Sequence, residues 1–101
     1  MRYWFHAEAR RELLESTRYY ESELSGLGHR FLAAITEAIH QIQGHPCMFR
    51  EIGDSWRQCR VARFPFGIIY RIRNQRIEII AVMHLHRRPG YWQARAAEPH
   101  L

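Results

Sequence analysis

Between Trp56 and His84 the chain carries three apolar, β-branched segments separated by turn signals of only a few residues. They run from about Trp56 to Phe64, from Gly67 to Arg73 and from Arg76 to His84, with Phe64-Pro65-Phe66-Gly67 between the first two and Asn74-Gln75 between the second two. Links this short join antiparallel strands, whereas parallel neighbours need a crossover of about a dozen residues or more. A three-stranded antiparallel meander is therefore expected. In its second strand Ile68, Tyr70 and Ile72 alternate with Ile69, Arg71 and Arg73, so one face is apolar and the other turns basic along its length. In the third, strict alternation sets Ile77, Ile79, Ala81 and Met83 opposite Ile80, Val82 and His84. Both of its faces are largely apolar, which makes it a central strand.

The N-terminal half follows a different period. Arg2 to Phe5 is short and aromatic and reads as a first strand. From Ala7 to Leu24 the pattern turns helical: Leu13, Thr17, Tyr20 and Leu24 share a stripe, with Glu8 and Glu12 near the positive end of the helix dipole. Gly26-Leu27-Gly28 interrupts it. A second helix from about His29 to Gln43 gathers Phe31, Ile35, Ala38, Ile39 and Ile42 on its own stripe and ends at Gly44, with Pro46 beyond. The short glycine link makes the pair an antiparallel hairpin. Residues 46 to 55, with Pro46, Gly53, Asp54 and Ser55, read as a loop. The fold class is α+β: a single domain over residues 1 to 101 in which an N-terminal strand joins the meander in a predominantly antiparallel sheet. The two-helix hairpin packs on its apolar face through residues such as Ile35, Ile42 and Ile79, and about 93 to 101 form a tail.

The 101 residues leave room for one core. No apolar run approaches the ~20 residues that cross a bilayer, and MRYWFHAEAR turns polar too soon for a signal peptide, so a soluble, cytoplasmic chain is expected. Cys47 and Cys59 stand singly and are expected as free thiols. Charge is uneven. Residues 1 to 45 hold five arginines against six acids, net −1, and residues 46 to 101 hold ten against four, net +6, which together give the chain's +5. All fifteen basic residues are arginine, a count that codon usage in a GC-rich genome produces as well as recognition does, so position is the better guide. From Arg57 to Arg88 there are eight arginines and one acid, Glu78, a density suited to nucleic acid or to an acidic protein.

The third strand discharges into His84, His86, Arg87, Arg88, Tyr91 and Trp92. Histidine titrates near neutrality and arginine stabilises a phosphate in transfer, so His84, Arg87 and Tyr91 are the candidates if the chain cuts RNA. A binding role is the stronger reading of the cluster, with Arg87 ahead of either histidine. Arg60 and Arg63 extend the target-binding set of His84, His86, Arg87, Arg88, Tyr91 and Trp92. Arg57, Arg71 and Arg73 form a second set suited to an acidic protein segment. His84-x-His86 begins a metal site, but no third or fourth ligand has suitable spacing, so neither metal nor cofactor is expected. Tyr19 and Tyr20 are assigned to packing. No glycine-rich phosphate cradle and no Ser/His/Asp set is present.

Five groups of residues in order resemble the RelE/ParE superfamily, the toxin halves of type II toxin–antitoxin operons. They are Phe5-His6-Ala7-Glu8-Ala9; Tyr19-Tyr20-Glu21; Gly26-Leu27-Gly28 with Arg30-Phe31-Leu32; Arg63-Phe64-Pro65-Phe66 with Tyr70-Arg71; and Val82-Met83-His84 with Arg87-Arg88-Pro89-Gly90-Tyr91-Trp92. The likeness runs from about Tyr3 to Arg95 and is to the ParE-like, "plasmid stabilisation" branch. It implies a toxin that binds DNA gyrase and is neutralised by a cognate antitoxin, with Arg57, Arg71 and Arg73 receiving the antitoxin. RelE-type members instead cut messenger RNA on the ribosome, which is the alternative; a degenerate, interaction-only member is a third. Phe66-Gly67 stands where ribonuclease members commonly place an arginine, and the lysines of RelE-like sites are missing, so an enzyme is the less favoured reading.

Overall fold

The structure, a computed structural model, describes residues 1–97. In chain order the elements are β1 (Tyr3–Phe5), α1 (Ala7–Glu23), α2 (Leu27–Gly44), β2 (Arg50–Glu51), β3 (Arg57–Arg60), β4 (Phe66–Arg73), β5 (Arg76–His84) and a closing 3-10 helix, Gln93–Ala97. The five strands form one sheet in the order β1-β5-β4-β3-β2, with β1 parallel to β5 and the other pairs antiparallel. This is the expected α+β arrangement with β5 inside the sheet. Two residues are too few to carry a period, so β2 lay unseen in the stretch read as a loop, although Arg50 pairs with Gln58 and Glu51 with Arg57. β3 stops at Arg60, short of Phe64, because the chain turns through Arg63 at φ 69°. Asn74 and Gln75, at φ 54° and 60°, make the tight β4–β5 turn, the two positive angles that match strand twist.

His6 couples helix to sheet. Its Nδ1 accepts the Glu8 N–H at 3.0 Å, and its own N–H donates to the Ile79 carbonyl at 2.9 Å. At the other end of α1, Leu24 turns extended and is exposed, so it leaves the stripe on which it was expected. Glu21 then accepts the N–H groups of Gly26 at 3.1 Å and Gly28 at 3.0 Å. With its N–H satisfied by a carboxylate, Gly28 serves as first-turn helix, and α2 begins at Leu27 rather than His29. A Cβ on Gly28 would lie 2.8 Å from the Thr17 carbonyl oxygen, so the helices cross where only glycine fits.

The helices cover one sheet face. Phe31, Ile35, Ala38, Ile39 and Ile42 of α2 pack with Cys59, Val61, Phe66, Ile68, Tyr70, Ile77, Ile79 and Val82. Tyr20 fills the corner near Phe31, Phe64 and Phe66, at ring distances of 5.1, 5.0 and 6.2 Å, whereas Tyr19, also expected in packing, is 59% exposed. Strict alternation in β5 fails. Ile69 faces Ala81 and Tyr70 faces Ile79, which leaves Ile80 as an extra residue in a β-bulge. Beyond it the parity inverts, so Ile80, Ala81 and Met83 point away from the helices while Val82 points toward them; Ala81 and Met83 do not share the face of Ile77 and Ile79.

The face expected to turn basic carries a second core. Ile69, Ile80, Ala81 and Met83 are buried with Trp56 and Trp92, whose rings meet edge to face at 5.2 Å. Arg71 lies over Trp56, its Cζ 4.3 Å from the ring centre, and its Nε donates to the buried Glu78 carboxylate at 2.9 Å. The segment after β5 lays Trp92 on this face, so Gln93–Ala97 does not trail from the domain; 98–101, the rest of the expected tail, lie outside the described residues.

Candidate functional site

β1 reaches only to the level of Ile79, which leaves the following stretch of β5 without a strand on that side. Two side chains take its place. Glu12 Oε1 accepts the Val82 N–H at 3.0 Å, and Arg95 Nη1 donates to the Ile80 carbonyl at 3.0 Å. The two also bind each other: Arg95 Nη1 to Glu12 Oε1 at 2.9 Å and Nη2 to Oε2 at 3.1 Å. The Tyr91 hydroxyl donates to Glu12 Oε2 in a short hydrogen bond. One carboxylate from α1 thus ties the bulged strand to the closing segment. The sequence marks Glu12 only as a partner of the helix dipole. Its position three residues after Ala9, the one fully buried residue of α1, places it on the packed face, and an acid there needs partners.

Tyr91 stands between two cations. Arg87 Cζ lies 3.9 Å from the ring centre and Arg95 Cζ 5.1 Å. Burial, the bond to Glu12 and the negative charge of Glu12 all push the Tyr91 hydroxyl well above the ordinary tyrosine range. It is a proton holder at neutral pH. His84 packs edge-on against Phe66 at 5.1 Å, and its Nδ1 accepts the His86 N–H at 3.1 Å. The His84 and His86 rings are 5.0 Å apart. Glu12, Glu15, Tyr20, Phe66, His84 and Arg87 border an open cleft of about 470 Å³ between α1 and the sheet end.

The expected site residues separate into four groups. Arg60 faces Gly67, which faces Met83, so Arg60, the turn residue Arg63 and the His84 to Arg88 segment lie at one end of the sheet. Arg60, Arg63, His86, Arg87 and Arg88 are exposed there, and His84 and Tyr91 are half-buried. Arg57 and Arg71 are occupied. Arg57 Nη1 donates to the Cys47 and Phe49 carbonyls at 3.0 and 2.8 Å, pinning the loop before β2, and Arg71 is held by Trp56 and Glu78. Arg73 is exposed at the far end of the sheet. Trp92 is 4% exposed and is core.

The exposed end suits polyanion or carboxylate binding through guanidinium forks, next to aromatic walls. Its two candidate proton-transfer groups hold their protons or lone pairs in internal hydrogen bonds, His84 through Nδ1 and Tyr91 through its hydroxyl. Among the described residues no group of three or more His, Cys, Asp or Glu side chains could hold a metal ion, and no helix is long and apolar enough to cross a membrane.

The model of the ParE toxin of the type II toxin–antitoxin system, parDE, matches residues 3–89. No curated protein matches. Among solved structures, a chain of the chromosomal ParDE TA system from P. aeruginosa superposes with a TM-score of 0.63, covering 85% of this chain and 97% of its own length at 17% identity. That likeness is one of fold.

Proposed function

The chain belongs to the ParE toxin family of type II toxin–antitoxin systems, and on that premise we propose that it arrests growth by binding DNA gyrase in the cytoplasm, without cutting RNA, and that a cognate antitoxin silences it. The observation that carries this reading is the contrast at the sheet end. Arg60, Arg63, Arg87 and Arg88 are exposed and available to a partner, whereas the Tyr91 hydroxyl is committed to Glu12 and Nδ1 of the half-buried His84 to the His86 N–H. Rapid 2′-hydroxyl chemistry needs a group that takes up a proton near neutral pH, and a tyrosine donating to a carboxylate does not do so. A binding surface needs charge, shape and fixed geometry, which this end supplies.

The antitoxin is proposed as an acidic segment that docks by charge and apolar contact. Of the three arginines expected to receive it, Arg73 is exposed, while Arg57 and Arg71 hold the fold together. Arg73 and the exposed arginines of the other sheet end therefore take the electrostatic part. Induced expression with parallel readout of DNA supercoiling and of messenger RNA ends tests the target. Altered supercoiling with uncut messenger RNA is expected. Codon-specific cleavage would replace gyrase by the ribosome, and neither effect would make the chain an interaction-only member of its family.

A further inference from the structure

We infer that Glu12 is a positioning residue for the basic sheet end: acting through Tyr91, it holds the Arg87 guanidinium in one pose at the mouth of the cleft. The functional consequence rests on the reading of Arg87 as a target contact; the pose itself does not.

The chain of contacts is continuous. Glu12 is fixed at both carboxylate oxygens by groups that cannot swing freely, the Val82 N–H of β5 and the Arg95 fork, and Arg95 is itself pinned to the Ile80 carbonyl. The remaining hydrogen bond goes to the Tyr91 hydroxyl, which sets the orientation of the phenol ring. Arg87 is placed by its backbone, whose N–H donates to the His84 carbonyl at 3.0 Å, and by the ring face 3.9 Å from its Cζ.

Electrostatics support the same arrangement. Two guanidinium groups near one ring would repel each other, and the Glu12 carboxylate offsets the charge of Arg95, the one it contacts. A phenol that donates to an anion is polarised toward a more negative ring face, which strengthens its hold on the free cation, Arg87. An exposed arginine normally samples many rotamers and loses that freedom on docking. One already stacked loses less, and binding tightens accordingly.

The test uses the full chain and separates tether, ring and charge. Tyr91→Phe keeps the ring and removes the tether, Tyr91→Leu removes both, and Glu12→Gln keeps size and an acceptor oxygen without the charge. Side-chain ¹⁵N relaxation of arginine Nε reads the pose in the free protein, thermal melting followed by circular dichroism reads the fold, and inhibition of gyrase supercoiling reads the consequence. In the parent, Arg87 Nε should be nearly as ordered as the backbone while Arg88 Nε is mobile. In folded Tyr91→Leu, Arg87 should become as mobile as Arg88 and inhibition should weaken roughly three- to tenfold, the scale of one long side chain's ordering. Tyr91→Phe should fall between. In an Arg87→Ala background, Tyr91→Leu should weaken inhibition no further. Folded Glu12→Gln should leave Arg87 more mobile than in the parent, and an Arg87 as ordered as in the parent would overturn the role of Glu12; should Glu12→Gln fail to fold, the two Tyr91 variants carry the comparison.

A mobile Arg87 in the parent would overturn the inference, and so would an equal effect of Tyr91→Leu with and without Arg87. A parent that leaves gyrase untouched overturns the target assignment instead. The relaxation measurement then decides the pose alone.

Discussion

Glu12 of α1 and Arg95 of the closing 3-10 helix, 83 positions apart in the chain, meet through two hydrogen bonds, Nη1 to Oε1 at 2.9 Å and Nη2 to Oε2 at 3.1 Å. Each side chain is only 14% exposed. The pair replaces a missing sheet neighbour for β5, so loss of either partner leaves the other as a nearly buried charge and one backbone group of β5 unsatisfied, the Ile80 carbonyl without Arg95 or the Val82 N–H without Glu12.

Arg95→Ala is accordingly expected to destabilise the domain by about 3 kcal/mol, toward the lower end of what breaking a buried pair costs, and to lower the melting temperature by more than about 10 °C. The control is Arg11→Ala, which breaks a surface pair with Glu8 at 3.5 Å and should change stability by less than about 0.5 kcal/mol. Thermal and urea melts of the two variants side by side check the difference. Equal effects would mean that the closing segment contributes little.

Two helical glycines should behave oppositely. At Gly28 an added Cβ meets the Thr17 carbonyl oxygen at 2.8 Å and Glu21 Cβ at 3.0 Å, so Gly28→Ala should cost about 1–3 kcal/mol despite alanine's better helix propensity. At Gly44 nothing lies within 4 Å, and Gly44→Ala should be neutral or stabilise by up to about 1 kcal/mol. Urea denaturation of both variants decides the sign.

Much of this was legible in the sequence and some of it was not. Short turns fixed the meander, and the Phe31 to Ile42 stripe located the face of α2 that meets it, because both signals are local and periodic. The β5 bulge was hidden, since inserting Ile80 leaves no mark in a run that is apolar on both faces. Charge density from Arg57 to Arg88 pointed to a basic surface but could not separate Arg57 and Arg71, which bind carbonyls, a carboxylate and an indole, from Arg60 and Arg87, which are exposed. That distinction depends on partners distant in sequence. The role of Glu12 leaves no local signal for the same reason, its partners being Val82, Tyr91 and Arg95.

Alkaline pH should expose the buried thiol. Burial pushes Cys59 from 9.0 up to about 11, so below pH 9 folded and unfolded states both keep the proton. Between about 9 and 11 the unfolded chain releases it first, the folded state binds more protons, and stability falls as pH rises. Tyr70, raised from 10.0 to about 12, and Tyr91, raised further, act in the same direction from about pH 10. Urea melts from pH 7 to 11 should show the decline beginning near 9 in the parent and near 10 in Cys59→Ala. An unchanged onset would mean that Cys59 is not protected as its burial implies. In native buffer a thiol reagent should modify the exposed Cys47 and spare Cys59.

A cognate antitoxin should bind with sub-micromolar affinity, 1 μM being roughly −8 kcal/mol, because an exposed basic surface must be held inactive at cellular concentrations. Steering by exposed arginines is screened over ~8 Å at physiological ionic strength, so association should slow as salt rises. Stopped-flow association rates across a salt series check this. A rate unchanged from low to high salt would remove the arginines from the docking face.

The most direct measurement is inhibition of purified gyrase in a supercoiling reaction by the parent and by Arg87→Ala/Arg88→Ala, with circular dichroism melts of both proteins. Both arginines are exposed and neither belongs to either buried core. The parent should inhibit the enzyme, and the double variant should melt within about 2 °C of it yet have lost inhibition. A folded double variant that inhibits as strongly as the parent, or a parent that leaves gyrase unaffected while cutting ribosome-bound messenger RNA, would contradict the assignment of this sheet end as a gyrase-binding surface.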